Sequence, residues 1–349
     1  MGQLKAKPHL AAVRPAAHGG PDYDELARLG IDPRDVLDFS VNTNPAPIPD
    51  GLRQAIACAQ VTTYPDGNSG ALRQAAAEAY SVGADQVLAG NGSSELIWLA
   101  AQAYIGPGDT ALVRQPAFGE YEVAARIQGA EMARYSTDLA GALQEHRPSA
   151  AFVCNPNNPT GDQLDPGRLL ELACEHPATL FVIDEAYADF VAGRPTAISR
   201  AMPENVLVLR SLTKFSALAG LRLGLAFGAG AVIDALRTVK PPWNVNAAAQ
   251  AAGEYALRHP QLLPDLDWLA AARRRLVEGL RGLGLRPLPT DCNFFLVPVG
   301  DARGLRSRLL AQGCLVRDCA SFGLPDHIRV AVRGDGDNAR LLAAMAAVL

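Results

Sequence analysis

The chain has few cysteines, and none of them stands in a C-x-x-C pair: Cys58, Cys154, Cys174, Cys292, Cys314 and Cys319 are scattered through 349 residues. That spacing suggests neither a zinc site nor a disulfide framework, and it suits a reducing compartment. Although 49% of the residues are hydrophobic, no uninterrupted apolar run approaches the ~18 residues of a membrane span. The opening "MGQLKAKPHLAAVRPAAHGG" lacks the apolar stretch of a secretory signal, and Ala6 stands where a myristoylation start carries Ser or Thr. The cytoplasm is therefore the expected location. A basic excess is missing too: 32 Lys and Arg face 36 Asp and Glu, a formal charge of −4. Neither nucleic acid nor a membrane surface is an expected partner, which leaves a small molecule.

Nucleotide-binding fingerprints fail on spacing. "GNGSSE" places Glu95, and "GAGAVI" places Ile233, where the dinucleotide motif needs its third glycine. No G-x-x-x-x-G-K-[ST] and no G-x-S-x-G elbow occur, so a hydride-transferring Rossmann enzyme and a Ser-His hydrolase both lack their motif.

What the chain does contain is a succession of short apolar runs between Ala/Leu-rich helical stretches. "ALV" at 111–113, "AFVC" at 151–154, "LFVID" at 180–184 and "VLVL" at 206–209 read as buried parallel strands of an α/β sheet. Asn155, Asp184, Arg210 and Ser211 follow or end these strands, and ligands of open α/β sheets bind beyond the carboxyl ends of strands. After "KPPWNVN" (240–246), where two prolines interrupt any helix, the pattern changes. Leu266, Leu269, Leu276, Val277, Leu280 and Leu283 recur at helical spacing, and "NFFLV" (293–297) and "IRVAV" (328–332) read as strands. The expected organisation is a large domain over 41–247 and a smaller α+β domain over 248–349, against which the N-terminal segment 1–40 packs.

Lys214 lies in "SLTKFSALAGLRLG" (211–224), between hydroxyls and Arg222. A lysine taken at random is solvated, but one that is desolvated or set beside another cation can attack an aldehyde and form a Schiff base. Pyridoxal phosphate is such an aldehyde. Its pyridinium nitrogen needs a buried anion, which Asp184 at the end of an apolar strand can supply; an Asp there can equally cap the turn that follows. Its phosphate needs backbone donors, and "AGNGSSEL" (89–96) offers glycines, hydroxyls and a helix start, with Arg222, Ser211 and Thr213 to complete the cradle.

With these residues in view, the chain resembles fold-type I pyridoxal-phosphate enzymes of the aspartate aminotransferase superfamily from about residue 18 onward. The motifs that carry the likeness occur in order: "YPDGNSGALRQAAA" (64–77), "AGNGSSELI" (89–97), "PAFGEY" (116–121), "CNPNNPTG" (154–161), "IDEAYADF" (183–190), "SLTKFSALAGLRLG" and "IRVAVR" (328–333). The resemblance implies the fold-type I transferase architecture, a large mainly parallel-sheet domain plus a smaller α+β domain. It implies that Lys214 carries the cofactor and shuttles protons, that Asp184 pairs with the ring nitrogen, and that Asn158 and Tyr187 bond the ring hydroxyl. Phe118 would stack on the ring, while Gly92, Ser93, Ser94, Ser211, Thr213 and Arg222 would hold the phosphate. Tyr64 matches a tyrosine that reaches the neighbouring subunit's site, which implies a homodimer, and Arg329 matches the arginine that grips the substrate carboxylate.

Within that superfamily the sequence is similar to two groups, the L-threonine-O-3-phosphate decarboxylases of cobalamin biosynthesis and the histidinol-phosphate aminotransferases. "HGG" (18–20), "LDFSVNTNP" (37–45), "RSLTKF" (210–215) and "PPWNVNA" (241–247) favour the first, so decarboxylation of a phosphorylated amino acid is the leading expectation and transamination with 2-oxoglutarate the alternative. On this reading His18, Asn44, Asn158, Asn246, Arg329 and Arg333 surround the substrate. His18 as a turn residue, Trp243 as a plug between domains and Arg333 as a solvated strand-end charge remain open, as does a cofactor-binding relative without catalysis.

Overall fold

The computed structural model of the protein describes residues 6–262 and 265–349. Residues 1–5 of the N-terminal segment and 263–264 of the C-terminal one lie outside the described residues. In chain order the strands are β1 (Leu37–Asp38), β2 (Val87–Gly90), β3 (Thr110–Arg114), β4 (Glu131–Tyr135), β5 (Ala150–Cys154) and β6 (Leu180–Asp184). They continue with β7 (Val206–Ser211), β8 (Gly224–Gly228), β9 (Phe294–Pro298), β10 (Cys314–Leu315), β11 (Arg317–Cys319) and β12 (Leu324–Ala331).

Seven strands form one sheet in the order β2-β8-β7-β6-β5-β3-β4. From β7 to β4 neighbours run parallel, and β8 is antiparallel to both β7 and β2. Every residue of β5, β6 and β7 is buried, as expected of parallel strands covered on both faces. Side chains alternate between the two covers. Phe181, Ile183, Val206 and Val208 join one apolar cluster, while Leu180, Val182, Leu207 and Leu209 join the other. Truncating one such core side chain costs about 2–5 kcal/mol.

The helix Gly92–Tyr104 covers the second cluster through Leu96, Ile97, Ala100 and Ala101. Its first turn can lie against β8 only because residue 224 is glycine: a Cβ there would stand 2.5 Å from Ser93 N. The helix Leu266–Gly282 follows the predicted periodicity, burying Leu269, Leu276 and Leu280, and Asp265 caps it by accepting from the Asp267 and Trp268 N–H groups. Among the described residues no helix is long and apolar enough to cross a membrane.

A second sheet, β11-β12-β9, is antiparallel and contains the predicted runs at 293–297 and 328–332. The pair β1–β10 ties residues 37–38 to 314–315, and Ala331 N donates to Phe39 O at 2.9 Å. Residues 40–42 are thereby carried alongside Arg329. Six strands are not evident from the sequence: β1, β10 and β11 are only two or three residues long, β4 carries Glu131 and Arg134 among apolar residues at the sheet edge, and β2 and β8 are short runs ending in glycine.

Candidate active site

The parallel strands end together. Cys154 on β5 is the register partner of Asp184 on β6, and Ser211 on β7 is that of Gly224 on β8. Beyond these ends lies a cavity of about 60 Å³ lined by Ser93, Ser94, Phe118, Asn158, Asp184, Tyr187, Ser211, Thr213, Lys214 and Arg222, with Tyr121 and Cys154. The fold thus brings together the whole cofactor set expected from the sequence except Gly92 and Tyr64. Gly92 contributes differently. It opens the helix with φ +81°, and a Cβ would stand 2.7 Å from Arg222 Nη2, so glycine is what lets that guanidinium close over the helix start.

Asp184 is buried; Tyr121 Oη donates to its Oδ2 at 2.8 Å and Ala186 N donates to its Oδ1 at 3.1 Å. Burial pushes this carboxyl above its usual range, while those two bonds and the charges of Lys214 and Arg210 pull the other way. The bond from Ala186 N is the local turn cap that the sequence alone allowed, so capping and a ligand-facing role coexist in one side chain. Lys214 sits in the short helix Leu212–Phe215. Burial, then the nearby Arg329 and Arg222 charges, push its amine down to about 8, against the pull of Asp184. An amine so placed is partly unprotonated at neutral to mildly basic pH and can act as a nucleophile.

These residues fit a phosphate-bearing pyridine aldehyde. Ser93 and Ser94 stand in the first turn of a helix, where backbone N–H groups are free. The Ser211 and Thr213 hydroxyls lie 2.7 Å apart, and Arg222 has no ion-pair partner among the described residues. An anion is the natural occupant.

A second cavity of about 330 Å³ adjoins the first and shares Ser94, Phe118, Asn158, Tyr187, Lys214 and Arg222 with it. Its outer wall carries His18, Asn42, Arg317 and Arg329. Arg329, 5% exposed, donates to Asn158 Oδ1 and, at 2.6 Å, to Ser40 O. No carboxylate lines this cavity. His18 Nε2 donates to Glu120 Oε1 at 2.9 Å, and the Trp98 indole donates to the other oxygen at 2.8 Å.

Three expected substrate residues are placed elsewhere. Asn44 spends its side chain on the backbone: Nδ2 donates to Phe215 O at 2.8 Å, Oδ1 accepts from Ala46 N, and its own N–H donates to Lys214 O. It anchors the lysine's helix rather than lining the cavity. Asn246 caps the helix Ala247–Arg258 by accepting from Ala249 N and donates to Leu221 O. Together with Tyr64 and Trp243 it lines a separate cavity of about 500 Å³. Arg333 is held by Asp337 (2.9 Å) and Asp38 O (3.2 Å) and lines neither cavity. Tyr64, 77% exposed and stacked on Trp243 at 4.4 Å, is likewise outside the two central cavities of its own chain.

Some residues of the site escaped the sequence reading. Tyr121 was visible only as the last letter of "PAFGEY", three positions after Phe118. Arg317 donates to Ala17 O and His18 O and so depends on a fold contact across 299 residues. Asn42, buried with neither amide atom hydrogen-bonded among the described residues, lies two residues before Asn44.

The sequence matches the family model "Aminotransferase class I and II" over residues 34–348. A histidinol-phosphate aminotransferase of Pseudomonas fluorescens is 37% identical over 366 residues, spanning 99% of this chain and 97% of that protein. The solved structure of L-threonine-O-3-phosphate decarboxylase from Porphyromonas gingivalis matches with a TM-score of 0.80 at 27% identity, over 88% of this chain and 97% of that one. Histidinol-phosphate aminotransferase from Sinorhizobium meliloti, solved in complex with pyridoxal-5'-phosphate, shares the fold with a TM-score of 0.88 over 99% and 98% of the two chains, at 20% identity. The curated relatives therefore back the aminotransferase alternative better than the decarboxylase reading.

Proposed function

The chain belongs to the class I and II aminotransferase family, and on that premise we propose that it moves the amino group of a phosphorylated substrate of the histidinol-phosphate type to a 2-oxo acid such as 2-oxoglutarate. Its cofactor is pyridoxal 5'-phosphate, the cofactor of this family. One observation carries the reading. Lys214, Arg222, Arg317 and Arg329 line two adjoining cavities in which Asp184 is the only carboxylate among the described residues, so the site is suited to more than one anion: a cofactor phosphate and an anionic substrate.

When bound, the cofactor supplies an electron sink for the pair left as a bond at the substrate Cα breaks. The chain's residues do the rest. Asp184 would hold a proton at the ring nitrogen, Ser93, Ser94, Ser211, Thr213 and Arg222 would hold the phosphate, and Phe118 would pack on the ring. The Lys214 amine would hold the cofactor through its aldehyde carbon and would move the proton at the substrate Cα. Asn158 and Tyr187 orient the ring hydroxyl, and Arg329 receives a substrate carboxylate or phosphate in its planar fork. Exposed Tyr64 and Trp243 are proposed to meet a second copy, with Tyr64 reaching the partner's cofactor site in a homodimer. We also propose the division into segment 1–40, large domain 41–247 and small domain 248–349.

A second reading is decarboxylation of L-threonine O-3-phosphate, supported by the likeness to the solved decarboxylase over 88% of this chain. The two differ in which bond at the substrate Cα breaks, a matter of sub-ångström placement of the substrate. Product analysis separates them. Glutamate formed from 2-oxoglutarate and histidinol phosphate supports amino transfer. Sustained CO₂ and (R)-1-amino-2-propanol phosphate from L-threonine O-3-phosphate without any 2-oxo acid, with no turnover of histidinol phosphate, replaces it by decarboxylation.

A further inference from the structure

The chain buries a second charged cluster that the reading above does not use. Arg210, 2% exposed in the sheet, donates through Nη1 to Glu185 Oε2 at 3.1 Å and through Nη2 to Asp189 Oδ1, and both carboxylates are buried. Glu185 also accepts from Thr196 Oγ1 at 2.6 Å and Ala197 N at 2.7 Å, and the guanidinium lies 5.4 Å from the Tyr80 ring.

Strand periodicity places this cluster. Asp184 and Leu209 are register partners across β6 and β7, so Glu185 stands beside Arg210, on the sheet face opposite Asp184 and Ser211. None of the three charged residues lines either central cavity. Stability alone does not account for them, because a buried ion triad exchanged for apolar residues is often neutral or stabilising. Arg210 Nε, moreover, has no partner among the described residues, which adds a cost.

What the cluster does geometrically is join two segments. Glu185 follows Asp184, and Asp189 lies two residues past Tyr187; Arg210 immediately precedes the Ser211–Lys214 run. We infer that Arg210 is a positioning residue, whose two-armed grip on Glu185 and Asp189 holds the Asp184–Tyr187 segment in register with the Ser211–Lys214 segment, so that the ring end and the phosphate end of the cofactor meet a preset frame. The inference rests on the reading that Asp184 and Lys214 hold the cofactor. The Arg210 charge also opposes the upward push of burial on Asp184, whose other charged or titratable neighbours are Tyr121, Lys214, Cys154 and Tyr187.

The test titrates the full chain, freed of cofactor, with pyridoxal 5'-phosphate. It follows affinity, melting temperature and the pH at which the visible absorbance of the bound cofactor changes. Arg210→Lys keeps the charge but loses the fork; the triple variant Arg210→Met, Glu185→Gln, Asp189→Asn removes all three charges and leaves none unpaired. Both should melt close to the wild type and bind the cofactor about tenfold more weakly. The absorbance pH should stay in place in Arg210→Lys and move by about one unit in the triple variant. Wild-type affinity in both variants overturns the inference, as does a lower melting temperature with cofactor binding unchanged. Should the triple variant not fold, the affinity of Arg210→Lys decides. In the same titration, wild-type behaviour of Lys214→Ala and Asp184→Ala would sink the underlying reading, whereas changes there without changes at Arg210 sink only the role of Arg210.

Discussion

The two sides of the central sheet treat charge in opposite ways. On the side that opens to the cavities, buried Arg329, half-buried Lys214 and exposed Arg222 have no carboxylate within salt-bridge distance among the described residues, and Asp184 is the acid that lines the cavity with them. On the other face, Arg210 is gripped by both Glu185 and Asp189. An unpaired buried cation costs several kcal/mol, so a fold keeps one where a ligand completes it. A paired cluster is complete without a ligand and serves the scaffold. The same contrast recurs between Arg329, buried and bonded only to neutral oxygens, and Arg333, four residues on, ion-paired to Asp337.

The largest expected break in this comparison comes from Lys214→Ala. With the amine gone, turnover should fall by about 10⁴-fold or more, and the visible absorbance of the lysine-bound cofactor should disappear while the protein still folds; stopped-flow kinetics and a spectrum check both. Retained absorbance would place the cofactor on another group.

Next in size is the arginine pair. Arg329→Leu should lower kcat/KM by about 10²-fold or more, in line with the 2–5 kcal/mol lost when one partner of a buried charge contact is truncated. Arg333→Leu should leave kcat/KM unchanged and lower stability by about 1 kcal/mol or less. Steady-state kinetics and thermal melts of the two variants decide; equal kinetic losses would return Arg333 to the substrate.

A smaller effect follows from the titration of Lys214 in the cofactor-free protein. Its folded value of about 8 lies below the ordinary 10.5, so between these limits the unfolded chain binds the proton that the folded one has released. Stability should therefore rise as pH climbs from about 8 to 10.5, and the cost of burying the cation is fully felt below that window. The gain is roughly 1–3 kcal/mol, and Lys214→Met should abolish the rise in urea melts across this range.

The smallest prediction concerns Asn246. As a helix cap it should cost about 1 kcal/mol when replaced by Ala, with KM unmoved; a clear rise in KM in the isolated mutant would bring this side chain into the site after all, from the partner copy.

Much of the candidate site is legible because its residues cluster in short motifs at strand ends. Asp184 closes an apolar run, Ser211, Thr213 and Lys214 share one turn, and Ser93 and Ser94 open a helix, so local chemistry nearly dictates their arrangement. Asn44 and Asn42 show where this stops. Both lie in "SVNTN", and nothing local decides which of them turns inward; the contact of residues 37–39 with β10 and β12 does. Asn246 shows the converse: within its own chain a local preference for an N-cap sets its bonds, whereas its motif suggests a place at the substrate.

By itself the sequence determined the class of fold, the strand ends that meet, and the placing of Lys214 and of the helix start at Gly92 beside them, because these follow from apolar periodicity and from contacts within a few residues. Only the tertiary structure decided the outer wall of the site and the pairing of its charges. Arg329, Arg317, His18 and Asn42 come from opposite ends of the chain, and whether an arginine is left bare for a ligand or matched by Glu185, Asp189 or Asp337 depends on distances that only the packed chain sets.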